Sequence, residues 1–283
     1  MQVSSIFSGL ESMGLKNLTD VKIYEEPEKE DKKKPEAHKD PVVTESDYVF
    51  DKRMQCPVCD KEFYNKTVKT GKPRLIGSDS DLRPKYVGID SVKYDAIVCP
   101  NCGYAALSRF FSYMTSAQSK LIIENVSKTF KGLPQSGDVY TYDEAINRYK
   151  LALYNTIVKR GKNSEKAYTC LKIAWLFRGM KENIEDSNPK APAMRIACDA
   201  SEKEMLANAF DGFMASRSKE DFPVCGMDEP TLDYLLADLA TRLGKYEIAS
   251  KFASDIIVSR IANAKLKERA RDLRDSIKDK IKA

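Results

Sequence analysis

The sequence predicts an α+β fold that is mostly α: a small four-cysteine ribbon followed by a helical repeat domain. Three observations carry this. "CPVCDKEF" from Cys56 and "CPNCGYAAL" from Cys99 are paired Cys-Pro-x-Cys turns. From about Leu107 onward apolar residues recur at helical spacing, broken at "KGLPQSGD", "KRGKNS", "EDSNPKAP" and "FPVCGMDEP". Within one of these helices Tyr168, Leu171, Trp175 and Gly179 fall at offsets 0, 3, 7 and 11, a spacing that belongs to stacked helix pairs.

The chain has 283 residues, 42% of them hydrophobic, enough for one large core or two or three smaller ones. It has no run of about 18 apolar residues, so no membrane-spanning helix is expected. The opening "MQVSSIFSGLESMGL" lacks a basic start, a long apolar core and a small-residue cleavage site, so it does not read as a secretory signal. The expected location is the cytoplasm. Seven cysteines, an odd number, speak for a reducing compartment and against a disulfide framework. A net charge of +5 is too small to predict nucleic-acid binding by itself.

Residues 1–23 form an amphipathic arm, with Ile6, Leu10 and Met13 at helical spacing. Gly9 and Gly14 weaken any free helix there. The arm is read either as a frayed tail or as a segment that docks on its own helices or on a partner. Residues 24–45 are a charged, proline-bearing stretch that cannot bury enough surface to order itself, and are read as a disordered linker. His38, the chain's one histidine, lies in it as a solvated residue, which removes histidine-based catalysis.

Residues 46–113 carry the two cysteine turns. "EFYNKTVKT" and "KYDAIVC" read as strands, and "RLIGSDSDLRPKYVGID" between them as loop. The segment is expected to be one antiparallel hairpin unit with an inserted loop. Each turn puts two thiolates side by side, with backbone N–H groups facing the sulfurs. Cys56, Cys59, Cys99 and Cys102 are the candidate ligands of one structural zinc ion. A redox dithiol, an iron centre and no metal at all are the alternatives. The spacer, residues 60–98, is 39 residues long against a usual ~15–20. The excess can loop out from two strands. Four thiolates close the shell, leaving no position for substrate.

Residues 114–283 form the helical domain. Candidate helices cover 107–130, 142–160, 164–181, 191–217, 229–243, 245–260 and 262–282. Tyr168 to Gly179 match the first-helix pattern of a tetratricopeptide repeat. Ala145, Tyr149 and Ala152 match the second-helix pattern. Leu236, Ala237, Gly244, Tyr246 and Ala249 give a degenerate further copy, whose aromatic positions hold Asp233 and Ala240. The alternative is an ordinary helical bundle. The last helix is charged and amphipathic, suited to capping the stack.

Asp79, Asp81, Arg83 and Tyr86 crowd into "GSDSDLRPKY", read as a solvated turn or as a recognition loop. Residues 52–113 hold eleven Lys/Arg and six Asp/Glu, a balance of +5, which a zinc centre with four thiolates lowers to +3. With Phe63, Tyr64, Tyr86, Tyr94 and Tyr104 nearby, the ribbon has either a nucleic-acid face or an aromatic core of its own. Cys170, Cys198 and Cys225 read as small apolar residues, Cys225 alternatively as an exposed thiol.

The stretches "FDKRMQCPVCDKEF" and "TGKPRLIGSDSDLRPKYVGIDSVKYDAIVCPNCGYAALSRFF", followed by these helices, resemble the bacterial family called domain of unknown function 2225. The resemblance implies a zinc ribbon followed by tetratricopeptide-like repeats in a bacterial cytoplasmic protein. It carries the zinc ligands to Cys56, Cys59, Cys99 and Cys102, and brings no activity with it. The expectation is therefore a scaffold that is not an enzyme, with a protein or peptide bound on the repeats. A nucleic-acid-associated ribbon is the second reading. Neither a membrane nor a small-molecule substrate is expected.

Overall fold

Each Cys-Pro-x-Cys turn closes its own antiparallel hairpin in the computed structural model, which describes residues 43–134 and 137–282. The arm, His38 and the linker as far as residue 42 lie outside the described residues. The linker's last residues do not: Glu45–Tyr48 form a 3-10 turn, and Glu45 accepts hydrogen bonds from Lys93 Nζ and Tyr94 Oη, each at 2.8 Å.

β1 (Val49–Gln55) pairs with β2 (Glu62–Val68), and Cys56 and Cys59 lie in their connecting turn. β3 (Leu75–Ser78) pairs with β4 (Pro84–Tyr86), with a register shift between Leu75 and Gly77. β5 (Ala96–Val98) pairs with β6 (Ala105–Leu107), and Cys99 and Cys102 lie in that turn. The expected single hairpin unit is corrected on two counts: two separate hairpins present the cysteines, and the insert has strands of its own. The missed strands carry no alternation. β1 is exposed along most of its length, and β6 is three buried apolar residues running straight into a helix.

The helix expected over 107–130 is two. α1 (Ser108–Phe111) stops, and α2 (Ser116–Ile122) starts afresh before continuing as a π-helical stretch, Ile123–Ser127. Thr115 restarts the chain with a capping box: its Oγ1 accepts from the Gln118 N–H, and Gln118 Oε1 accepts from the Thr115 N–H, both at 3.2 Å. α3 (Tyr142–Val158) begins with the same device at Thr141 and Glu144. Then follow α4 (Asn163–Glu182), α5 (Ala191–Lys219), α6 (Glu229–Arg242), α7 (Tyr246–Val258) and α8 (Ala264–Lys282). All lie within a few residues of expectation.

Successive helices pack antiparallel. Lys159, just past the end of α3, meets Glu165 at the start of α4, while Tyr142 at the start of α3 meets Asn183 at the far end of α4. Glu220 accepts from both the N–H and the hydroxyl of Ser164 at one end of the α4–α5 pair, and Lys181 binds Asp199 at the other. Glu220 thereby supplies the cap that α4's own Lys162 cannot. α8 lies along α6 and α7, burying Leu266, Ala270, Leu273 and Ile277 at helical spacing.

One core runs from Ala96 and Leu107 of the last hairpin through Tyr149, Leu171, Trp175, Phe213 and Leu235 of the helices. A second surrounds the cysteines with Phe63, Ile97, Tyr104, Phe111 and Ile122. Hairpins and helices thus belong to one compact unit, Val43–Ala283. No described helix is long and apolar enough to cross a membrane.

Candidate metal centre

The two cysteine turns are the same turn used twice. In the first, the Cys56 N–H donates to the Lys61 carbonyl at 3.1 Å and the Asp60 N–H to the Cys56 carbonyl at 2.9 Å. In the second, the Cys99 N–H donates to the Tyr104 carbonyl at 2.8 Å and the Gly103 N–H to the Cys99 carbonyl at 3.0 Å. The residue after the second cysteine is left-handed in both, Asp60 at φ 57° and Gly103 at φ 74°. Aspartate is one of the few side chains that tolerates this region. At 103 only glycine fits, because a Cβ there would stand 2.5 Å from Cγ of Phe130.

The hairpins bring the turns face to face. Cys56 Sγ lies 3.6 Å from Cys102 Sγ, and Cys59 Sγ lies 3.7 Å from Cys99 Sγ. All four sulfurs lie within 4.8 Å of one another. A tetrahedron of sulfurs at ~2.3 Å from a central ion has edges of about 3.8 Å. The two contacts that cross between the turns already have nearly this length. Cys56, Cys99 and Cys102 are buried and Cys59 is half-buried. These are the four residues singled out in the sequence, and the fold places their donor atoms where they could hold a metal ion.

The thiols perturb one another strongly. Cys99 is held far below the ordinary thiol range, because hydrogen bonds from the Cys102 and Cys56 thiols support its negative charge. Cys102 is pushed well above that range by its hydrogen bonds to Cys56 and Cys99, and burial adds to the effect. For Cys56 the contact with Cys102 works downward, but the bond to Cys99 and burial outweigh it and push the thiol up to about 12. Binding of a metal in such a cluster must displace protons.

Helix α3 and α1 fix the second turn. Asn155, fully buried, donates from Nδ2 to the Gly103 carbonyl at 3.1 Å and to the Leu151 carbonyl at 2.9 Å. Tyr104 donates its hydroxyl to the Phe111 carbonyl at 3.0 Å, and the Phe111 ring packs edge-on to Phe63 of the other hairpin. Such supports orient ligands. Nothing in the local sequence around Asn155 or Phe130 marks either as a support.

The loop residues depart from the solvated-turn expectation. Asp81 is fully buried and accepts from Trp175 Nε1 at 3.0 Å and from Arg178 Nη2 at 2.6 Å. Asp79 accepts from Arg178 Nη1 at 3.0 Å and pairs with Lys85 at 2.9 Å. Arg83, also buried, pairs with Asp90 and Glu182, each at 3.1 Å. Burial alone would lower the Arg178 pKa, but its bonds to Asp81 and Glu202 outweigh this and raise it. The solvated-turn reading is therefore corrected. Asp81 and Arg83 are committed inside the molecule, where they fasten the β3–β4 hairpin to α4. A recognition role for this loop would rest on half-buried Tyr86 and on the exposed Leu75 and Ile76.

Cys170 and Cys198 are buried, and Cys225 is half-buried, donating its thiol to the Ser164 carbonyl at 3.3 Å. Burial pushes the thiols of Cys170 and Cys225 up to about 11, which suits apolar packing and not reactivity.

These features define a mostly helical protein with a buried four-thiol centre where two hairpins meet the helices. The chain belongs to the family described as "Uncharacterized protein conserved in bacteria (DUF2225)", whose profile matches residues 49–277. A relative from Borreliella burgdorferi, described as an uncharacterized protein, is 24% identical over 159 residues, which are 50% of this chain and 57% of the relative. The match thus spans little more than half of that relative's length. No solved structure matches the chain.

Proposed function

We propose that Cys56, Cys59, Cys99 and Cys102 hold one zinc ion, and that the zinc holds together an interaction scaffold of the bacterial cytoplasm. The observation that carries this is the buried set of four sulfurs at near-tetrahedral spacing. Four soft donors suit zinc, and they close its shell, so no open position is left for water or substrate. Binding would act as folding energy, on the order of 10–16 kcal/mol in small zinc peptides. The odd count of seven cysteines is in keeping with a reducing compartment.

The helical part is read as tetratricopeptide-like. Support comes from Ala145, Tyr149 and Ala152, all fully buried, and from Trp175, buried in the same core as Tyr149. Gly179 admits close approach: a Cβ there would stand 2.7 Å from the Tyr142 ring. A groove of about 400 Å³ between α3, α4 and α5 is lined by Leu153, Ile157, Cys170 and Met205, and Ile157 is 55% exposed. An apolar groove among paired helices suits a peptide or protein segment. The test is affinity capture from bacterial lysate treated with nuclease, with the native protein and with Ile157→Glu. Specific partners held by the native protein and lost with the variant support the scaffold. Capture that disappears with nuclease alone contradicts it.

A further inference from the structure

Among the described residues, α1, α2 and the turn between α3 and α4 border an open cavity of about 630 Å³ whose charge is one-sided. Arg109, Lys159, Arg160 and Lys162 line it, against one carboxylate, Glu165. Glu165 is already engaged: its Oε1 lies 2.7 Å from Lys159 Nζ and accepts from Thr156 Oγ1 at 3.1 Å. Arg109 is engaged as well, donating from Nη1 to the Cys225 carbonyl, whereas Arg160 and Lys162 have no carboxylate within ion-pair distance among the described residues. Two uncompensated cations side by side on one cavity favour an anion.

A further observation narrows the anion. Tyr113 is 75% exposed and lines the same cavity beside Phe110, and an open aromatic ring next to cations is how proteins stack nucleic-acid bases. Arg160 stands at φ 55°, in the left-handed region that glycine adopts freely and arginine does not, with Gly161 one step away. The Gly161 N–H donates to the Thr156 carbonyl at 2.8 Å, so this is the left-handed cap that ends α3, and it sets Arg160 two positions before Lys162 in the cavity lining. The larger cleft beside β1, β2 and β4, about 680 Å³, lacks this surplus. Of its three lysines, Lys172 pairs with Asp95, and Lys69 Nζ donates to the Asp47 carbonyl.

We propose that the cavity binds a nucleoside phosphate, its phosphate on Arg160 and Lys162 and its base on Tyr113. The volume falls within the ~300–1,000 Å³ of ligand cavities. The ligand is either a free nucleotide or a nucleotide of single-stranded RNA, which share this chemistry. The site is separate from the four thiols and from the groove between α3, α4 and α5.

Isothermal titration calorimetry on the full-length, metal-loaded protein tests this. The probes are the common ribonucleoside 5′-monophosphates, inorganic phosphate, and a short mixed-sequence single-stranded RNA bearing a 5′-phosphate. At least one nucleotide probe should bind, the combination Arg160→Gly with Lys162→Gln should weaken it at least tenfold, and Tyr113→Ala should weaken it about tenfold. Arg160→Gly relieves the left-handed backbone, so that variant should melt no lower than the native protein and its loss of affinity cannot be assigned to unfolding. RNA binding tighter than any monophosphate, and falling steeply with salt, assigns the strand as ligand. RNA binding no tighter assigns the free nucleotide. The proposal is overturned if no nucleotide probe binds up to millimolar concentration, if phosphate binds as tightly as the nucleotides, or if the double variant binds unchanged.

Discussion

Trp175 Nε1 donates to the Asp81 carboxylate at 3.0 Å, between two buried side chains that stand 94 positions apart in the chain. One turn along α4, Arg178 closes on the same carboxylate at 2.6 Å. The hairpin inserted between the cysteine turns is thereby fastened to the helical core. The bond also decides what the Trp175 indole does: its ring fills the core and its N–H satisfies a buried anion.

Removing Asp81 should therefore cost more than removing the indole N–H. Asp81→Asn leaves Arg178 its bonds to Asp79 and Glu202 but removes the buried anion it shares with the Trp175 N–H, and breaking a buried pair in this way costs up to about 3 kcal/mol. For a chain of this size that is a fall in Tm of about 6–12 °C. Trp175→Phe keeps most of the ring and loses one hydrogen bond, about 1 kcal/mol, together with some packing. Thermal melts followed by circular dichroism check the order. Equal melting of Asp81→Asn and the native protein would contradict the clamp.

The single tryptophan reports on the same place. Trp175 is 3% exposed, so native emission should be blue-shifted and iodide should quench it poorly. Red, readily quenched emission in the native protein would place the ring in solvent.

The clamp also has an acid limb. Burial works to raise the Asp79 pKa, but the hydrogen bonds from Lys85 and Arg178 outweigh it and hold the carboxyl below its ordinary 3.8. A lowered pKa means that the folded chain favours the carboxylate. The stabilisation is then complete above the ordinary value and is lost as pH falls through the folded one. The gap in Tm between the native protein and Asp79→Asn should be full at pH 6–7 and close progressively below about pH 4. A gap that widens in acid would contradict this sign.

Gly103→Ala should damage the metal centre without touching a ligand. The added methyl meets the Phe130 ring at 2.5 Å and sits on a left-handed backbone, at a cost of about 1–3 kcal/mol. Asn155→Ala should act on the same turn from the other side, by leaving the buried Gly103 carbonyl without its donor. Both variants should release metal faster than the native protein when a chromogenic chelator is added. Gly71→Ala is the control, since the same left-handed strain there meets open space.

The features legible in the sequence are those written in local spacing. The Cys-Pro-x-Cys pairs announce the four clustered thiols, and the Gly, Pro and Asn clusters announce the ends of α3 to α8. The break before α2 was also written locally, since Thr115 and Gln118 spell a capping box inside an otherwise helical run. The β3–β4 hairpin was not legible. Its Asp79, Asp81 and Arg83 look like solvated charges, and only partners some 94–99 positions away, Trp175, Arg178 and Glu182, make them interior. The same holds at the metal centre, where the supports Asn155 and Phe130 lie beyond any window that contains the cysteines. Charge cancellation over long range leaves no periodic trace, which is why buried polar contacts are the part of this fold that hydropathy reads backwards.

Zinc K-edge X-ray absorption on the purified protein tests the central claim most directly, because it counts the ion and sees its shell together. The account predicts about one zinc per chain, surrounded by four sulfurs at ~2.3 Å with no lighter atom in the first shell. A folded protein that carries no zinc, or a zinc with an oxygen at about 2.0–2.2 Å in place of one sulfur, would contradict it.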